Sequence, residues 1–200
     1  MNWLELADRC QLFIPNAIGN PMYAKPLLVK LLKEAEMQVT RNVNILESSY
    51  QYTTDGTGEY PLPLDFKSPK MVMYKRDVLG ITDEDEIYYK EDGTIDTGTP
   101  EHYYIKIGTN GSSVIVLDRV PDSNVKLTIH YYALAPGDLT SPQIPEQYHI
   151  DLCDYAVFVS SASQNPEVSA MHNAKWDVLL EKIKRDVADQ ELNHRIKEDI

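Results

Sequence analysis

Cysteine is scarce in this 200-residue chain, basic residues are outnumbered by acidic ones, and long apolar runs are missing. Its two cysteines, Cys10 and Cys153, lie far apart and belong to no CxxC or Cys/His cluster. They read as small buried hydrophobes and point only weakly to a reducing compartment. Nowhere do about eighteen apolar residues follow one another, and the start MNWLELADRCQLFIP has neither a basic leader nor a long apolar core. Neither a membrane span nor a signal peptide is expected. With 19 Lys and Arg against 31 Asp and Glu, the net charge is −12, which opposes attraction to a phosphate backbone over most of the surface. Local basic patches remain open on two predicted helices, one with Lys25, Lys30, Lys33 and Arg41, the other with Lys182, Lys184, Arg185, Arg195 and Lys197.

Signatures of chemistry are also wanting. No GxSxG, GxGxxG or GxxxxGK[ST] occurs, so the common marks of esterase, dinucleotide and nucleoside-triphosphate chemistry are absent. His102, His130, His149, His172 and His194 show no HxxxH or HxH spacing, so a zinc site would need distant segments. The acidic run from Thr82 to Glu86 lacks the alternating ligands and central glycine of a calcium loop and reads as a solvated turn. Thirteen tyrosines gather in and beside the predicted strands. They suit a sugar-stacking platform or, more simply, cross-strand packing. No catalytic, cofactor-binding or metal-ligating residue is assigned, no cofactor is implied, and the chain is expected not to be an enzyme.

What is present is a clear order of periodicities. Hydrophobic content of 42% and charged content of 25% are ordinary for a globular protein, so wholesale disorder is not expected. Asn2, with Glu5 three residues on, is an approximate capping box for a helix carrying Trp3, Leu6, Ala7 and Cys10 on one face, stopped by Pro15. Pro26 opens a second helix, whose Leu28, Leu31, Leu32, Ala35, Val39, Val43 and Leu46 form a stripe over about six turns. The stretch Tyr50 to Phe66 then changes character, with a turn at Asp55-Gly56-Thr57-Gly58 and an extended Glu59-Tyr60-Pro61-Leu62-Pro63-Leu64. Strands are predicted from Gln51 to Thr54, Lys70 to Arg76, Glu86 to Lys90, His102 to Ile107, Ser113 to Leu117 and Val125 to Ala133. In the last, Val125, Leu127, Ile129 and Tyr131 alternate with Lys126, Thr128, His130 and Tyr132, giving one buried and one wet face. Helical spacing returns after Pro145, and Asn165-Pro166-Glu167 closes one helix and opens another that runs toward Arg195. The apolar stripe of that helix fades beyond Val187, as in an end that frays or one that waits for a partner. The fold class is α+β: an antiparallel helical bundle (1–48 and 141–200) with an inserted antiparallel β-sheet or small β-sandwich (49–140).

The ordered set Gly58-Glu59-Tyr60-Pro61-Leu62-Pro63-Leu64-Asp65-Phe66, Gly98-Thr99-Pro100, Val116-Leu117-Asp118-Arg119-Val120-Pro121-Asp122, Leu127 to Tyr132, Leu139-Thr140 and Ile144-Pro145-Glu146-Gln147-Tyr148-His149 resembles the head-to-tail adaptor proteins of tailed bacteriophages, especially short-tailed ones. The resemblance spans roughly Leu27 to Gln164. It implies a virion structural protein that forms a ring, commonly of twelve, beneath the portal. Tail, nozzle or fibre-anchoring proteins would bind the far side, genomic DNA would only pass through the channel, and no membrane would be involved. Assembly would occur in the host bacterial cytoplasm and the product would sit in the virion neck. In such adaptors the C-terminal segment commonly reaches the portal, so the resemblance implies a portal contact from Arg185, Leu192, Arg195 and Ile196. The alternative from the tyrosines and acidic loops is a β-sandwich carbohydrate-binding or other interaction module.

Overall fold

The computed structural model describes all residues except 15, 16, 18, 88, 90–92, 109–111, 138, 199 and 200, with side chains also left out at 22, 86 and 191–198. Two compact units result, one from Met1–Leu46 and Leu134–Ile200, the other from Glu47–Ala133.

The first unit is helical. Helix α1 spans Trp3–Phe13, and its capping box is complete: the Glu5 N–H donates to Asn2 Oδ1 and the Asn2 N–H to Glu5 Oε2, each at 2.9 Å. Helix α2 spans Lys25–Asn42, α3 Leu152–Ser161 and α4 Pro166–Glu198. Helix α1 packs on α2 and α3, α2 on α3, and α3 on α4. Their stripes meet in one core that includes Trp3, Leu6, Leu28, Leu32, Val39, Leu152, Ala156, Trp176 and Ile183. Helix α2 ends about a turn before its apolar stripe does. Val43 closes it through an N–H bond to the Val39 carbonyl at 2.8 Å, and Asn44 to Leu46 continue half-buried without helical form. Asn42, β-branched Val43 and Asn44 are all weak helix formers, and packing keeps the side chains inside without the helix. Pro15, the expected stop for α1, lies outside the described residues. Both cysteines are fully buried, and they meet: the Cys153 thiol donates to the Leu6 carbonyl at 3.6 Å, and contact with Cys153 together with burial pushes the Cys10 thiol up.

Among its described residues the second unit holds eight strands: β1 (Glu47–Thr53), β2 (Glu59–Pro61), β3 (Phe66–Tyr74), β4 (Asp77–Val78), β5 (Gly80–Ile81), β6 (His102–Ile107), β7 (Ser113–Leu117) and β8 (Lys126–Ala133). They form two four-stranded sheets, in the orders β1-β8-β3-β4 and β2-β7-β6-β5. All pairings are antiparallel except β5 with β6, which is parallel. The two sheets touch where the Tyr52 hydroxyl of β1 donates to the Pro61 carbonyl of β2 and the Tyr52 and Tyr60 rings lie 5.4 Å apart. The alternation read from β8 holds only in part: Leu127, Ile129 and Tyr131 are buried and Lys126 is exposed, but Thr128 and His130 are half-buried and Tyr132 is buried, so the second face is not wet along its length. Of the strand expected over Glu86 to Lys90, residues 88 and 90 lie outside the described residues, and the described ones form no ladder. Glu84–Glu86 make a single 3₁₀ turn, and Tyr89 forms only an isolated bridge to Ile95. Asp83, Glu84 and Asp85 are exposed, since a turn of like charges gains by staying in water, while Ile87 turns inward to a small cluster with Tyr104 and Val116.

Candidate assembly surfaces

Most residues that carry the resemblance turn out to hold the fold. Gly58 accepts the Leu117 N–H at 2.8 Å, and a Cβ there would meet the Ile95 side chain at 3.2 Å. Tyr60 is buried with its hydroxyl donating to the Thr57 carbonyl, and the Tyr131 hydroxyl donates to Asp65 at 3.0 Å while its ring packs on Phe66. Gly98 lets the Arg119 side chain pass, since a Cβ would sit 3.0 Å from its Cδ. Asp118, 1% exposed, accepts the Glu101 N–H at 3.0 Å and so fixes the start of β6. In the helical unit the Trp3 indole N–H donates to the Leu139 carbonyl, and the Trp3 N–H to that of Thr140. Glu36 is 1% exposed and accepts the N–H groups of Gln143 and Ile144. Burial raises its pKa above the ordinary carboxylate range, although those two donors and His149 pull the other way.

Leu64 is the exception. It occupies a turn closed by the Phe66 N–H to the Pro63 carbonyl, and its side chain is 99% exposed. Ile107, at the end of β6, is 80% exposed. Among the described residues nothing covers either side chain, so both are surfaces offered outward. The turn at Leu64 and Asp65 departs from the extended form expected through Leu64, and Pro63 just before the leucine is the signal in the sequence that marks it.

The other outward feature is α4. Asn165 caps it through the Val168 N–H, and its buried positions Ser169, His172, Trp176, Leu179 and Ile183 recur at three and four residues. His172 is tied to α3 by Nδ1 at 2.6 Å from Asp154 Oδ1. At the root of the final turns, the buried Tyr148 donates its hydroxyl to Asp186 Oδ2 at 2.7 Å, and Lys182 lies over its ring at 5.6 Å. Burial, with Asp186 as acceptor, raises the Tyr148 pKa. Past half-buried Val187 the next residues are exposed, yet the helix continues to Glu198, roughly 16 Å further at 1.5 Å per residue. Of the residues implied for a portal contact, Arg185 is exposed just before this stretch. Leu192, Arg195 and Ile196 lie on the same helix with side chains outside the described set. In helical register, positions 185, 192 and 196 share one line and position 195 falls beside it.

Tyr60, Tyr74, Tyr103, Tyr104, Tyr131 and Tyr148 are all buried, which spends them on packing. Among the described residues no group of three or more His, Cys, Asp or Glu is placed to hold a metal ion, and no helix is long and apolar enough to cross a membrane. A family model described as SU10 adaptor protein matches residues 1–195. No curated protein matches the chain.

Proposed function

The chain belongs to the SU10 adaptor protein family, and on that premise we propose that it is the head-to-tail adaptor of a phage virion. Copies form a ring, of twelve by the resemblance, that joins the portal to tail, nozzle or fibre-anchoring proteins and continues the channel through which DNA is ejected. The observation that carries this reading is the match over 1–195, which takes in both helical segments, the β unit and almost all of α4. The shape of α4 supports the portal-facing assignment, because a helix that outruns its own core presents a surface for another protein. In this proposal the segment 141–200 reaches the portal, with Arg185, Leu192, Arg195 and Ile196 at the contact.

The mechanism is assembly. A modest interface repeated around a closed ring gains by avidity, since each added subunit completes contacts already half made. An acidic chain of net charge −12 suits a passage through which DNA slides, because like charge keeps the genome from adhering. Assembly takes place in the host bacterial cytoplasm and the ring ends in the virion neck. Removing residues 193–200 and measuring binding to the cognate portal tests the contact, with a loss of at least tenfold expected. Undiminished affinity would move the contact elsewhere. Electron microscopy of the full chain mixed with that portal tests the larger reading, which fails if no ring forms on the portal.

A further inference from the structure

The two long edges of the first sheet are built differently. On one side β3 runs Phe66–Tyr74 with only Met73 and Tyr74 covered by β4. Its uncovered part carries Lys67, Pro69 and Lys70 and two register shifts, between Phe66 and Ser68 and between Pro69 and Met71. Proline, lysine and bulges are the features that keep a strand edge from pairing with another chain. On the other side β1 is seven residues long, ESSYQYT, with regular register to β8 from Glu47 to Thr53 and none of those features. Among the described residues no strand lies on its outer side.

The free hydrogen-bonding groups of β1 can be read from its pairing. The Thr54 N–H bonds the Val125 carbonyl at 2.8 Å, so in an antiparallel ladder the even residues Ser48, Tyr50 and Tyr52 face β8. Glu47, Ser49, Gln51 and Thr53 therefore aim their backbone groups outward. The strand's single charge is already engaged, since the Glu47 carboxylate lies 2.6 Å from Lys70 Nζ. Tyr50, 45% exposed, packs against Tyr52 with ring centroids 4.8 Å apart.

We propose that β1 pairs antiparallel, about a two-fold axis at Tyr50, with β1 of a second copy in the free protein. In that register Ser49 faces Gln51 and Glu47 faces Thr53, so outward backbone groups meet outward groups, no like charges are opposed, and the two Tyr50 rings cover each other. Among the described residues the other edges fit the role less well, and the part of β6 that β5 leaves uncovered is four residues long and carries Lys106. Strand β2 has three residues and ends on Pro61, β4 and β5 have two each, and β3 is guarded. This contact is isologous, whereas the contacts of a cyclic ring run head to tail, so it hides an aggregation-prone edge before incorporation and stands independently of the ring. Two seven-residue edges bury less than the ~1,000 Å² expected of a stable interface, so the dimer is weak and gives way to ring contacts.

Sedimentation of the full chain from low micromolar to several hundred micromolar is expected to show a monomer–dimer equilibrium. Ser49→Pro removes an outward N–H without touching the ladder to β8, and it should abolish the dimer while leaving the melting temperature unchanged. Register is read by disulfide trapping with oxidised glutathione, in which two thiols yield one disulfide and two reduced glutathiones. Tyr50→Cys should cross-link at least tenfold faster than Ser49→Cys or the distant surface variant Lys175→Cys. A chain that stays monomeric throughout, a dimer untouched by Ser49→Pro, or a Tyr50→Cys variant no faster than its controls would overturn the proposal. So would a β1-dependent complex found only with portal or tail protein, which would assign the edge to that occupant. Loss of portal binding in the 193–200 deletion bears on none of these outcomes.

Discussion

Glu36 carries a charge-bearing group into the helical core and spends it on two backbone donors, from Gln143 and Ile144, that hold the returning chain. Because burial raises its pKa in the folded state, its contribution to stability is complete below the unfolded carboxylate value and is lost as pH rises through the higher folded value. Glu36→Gln keeps the accepting oxygen and removes the ionisation. Its stability should therefore decline less between pH 4.5 and 7, and at pH 7 it should equal or exceed that of the parent chain. Glu36→Ala leaves both donors unpaired and should cost about 2–4 kcal/mol. Urea denaturation at both pH values checks this, and equal losses in the two variants would show that the carboxylate acts only by filling space. None of this was legible in the sequence. Glu36 lies among Glu34, Ala35 and Met37 on an amphipathic helix, and its donors come from a segment more than a hundred residues away. By contrast the Asn2 and Glu5 capping box was legible, because both partners lie within one turn.

At the scale of elements, periodicity located what local chemistry decides and misjudged what neighbours decide. Strands β6 and β7 occur over the predicted residues because turn-forming sequence bounds each and aromatic or β-branched residues fill them. The parallel β5 went unseen, since two residues, Gly80 and Ile81, carry no pattern of their own and exist as strand only by lying beside β6. The fading stripe of α4 was legible as far as residue 190, where the described side chains past Val187 are exposed, but its anchor was not: Tyr148 and Asp186 meet across separate segments. Tyr148→Phe tests that anchor. Losing the hydroxyl bond should cost about 1–2 kcal/mol, a fall of roughly 2–8 °C in melting temperature for a chain of this size. Amide exchange should quicken at 180–190 while α2 keeps its protection. Equal loosening of α2 would mean that the bond supports the bundle as a whole and does not specifically root the final turns.

For the whole molecule, the helical core is made by two stretches of chain that the β unit separates, and the route of the insert sets how the two units depend on one another. The insert enters on β1 and leaves on β8, with Glu47 directly opposite Tyr132, so its ends emerge on adjacent strands. While folded, it therefore joins the helical segments like a link of a few residues. Unfolded, it becomes a loop of roughly 90 residues, whose closure costs about 2–3 kcal/mol more by the logarithmic dependence on length. Leu127→Ala, which empties a fully buried position in β8, should cost the β unit about 2–5 kcal/mol. Once the β unit melts, the helical unit should lose only that closure difference. Amide exchange in α2 and α3 should thus show stability lower by about 2–3 kcal/mol when the β unit is unfolded in mild urea, with a core still protected. Complete collapse of α2 and α3 along with the β unit would reject this limited coupling and require direct energetic dependence between the two.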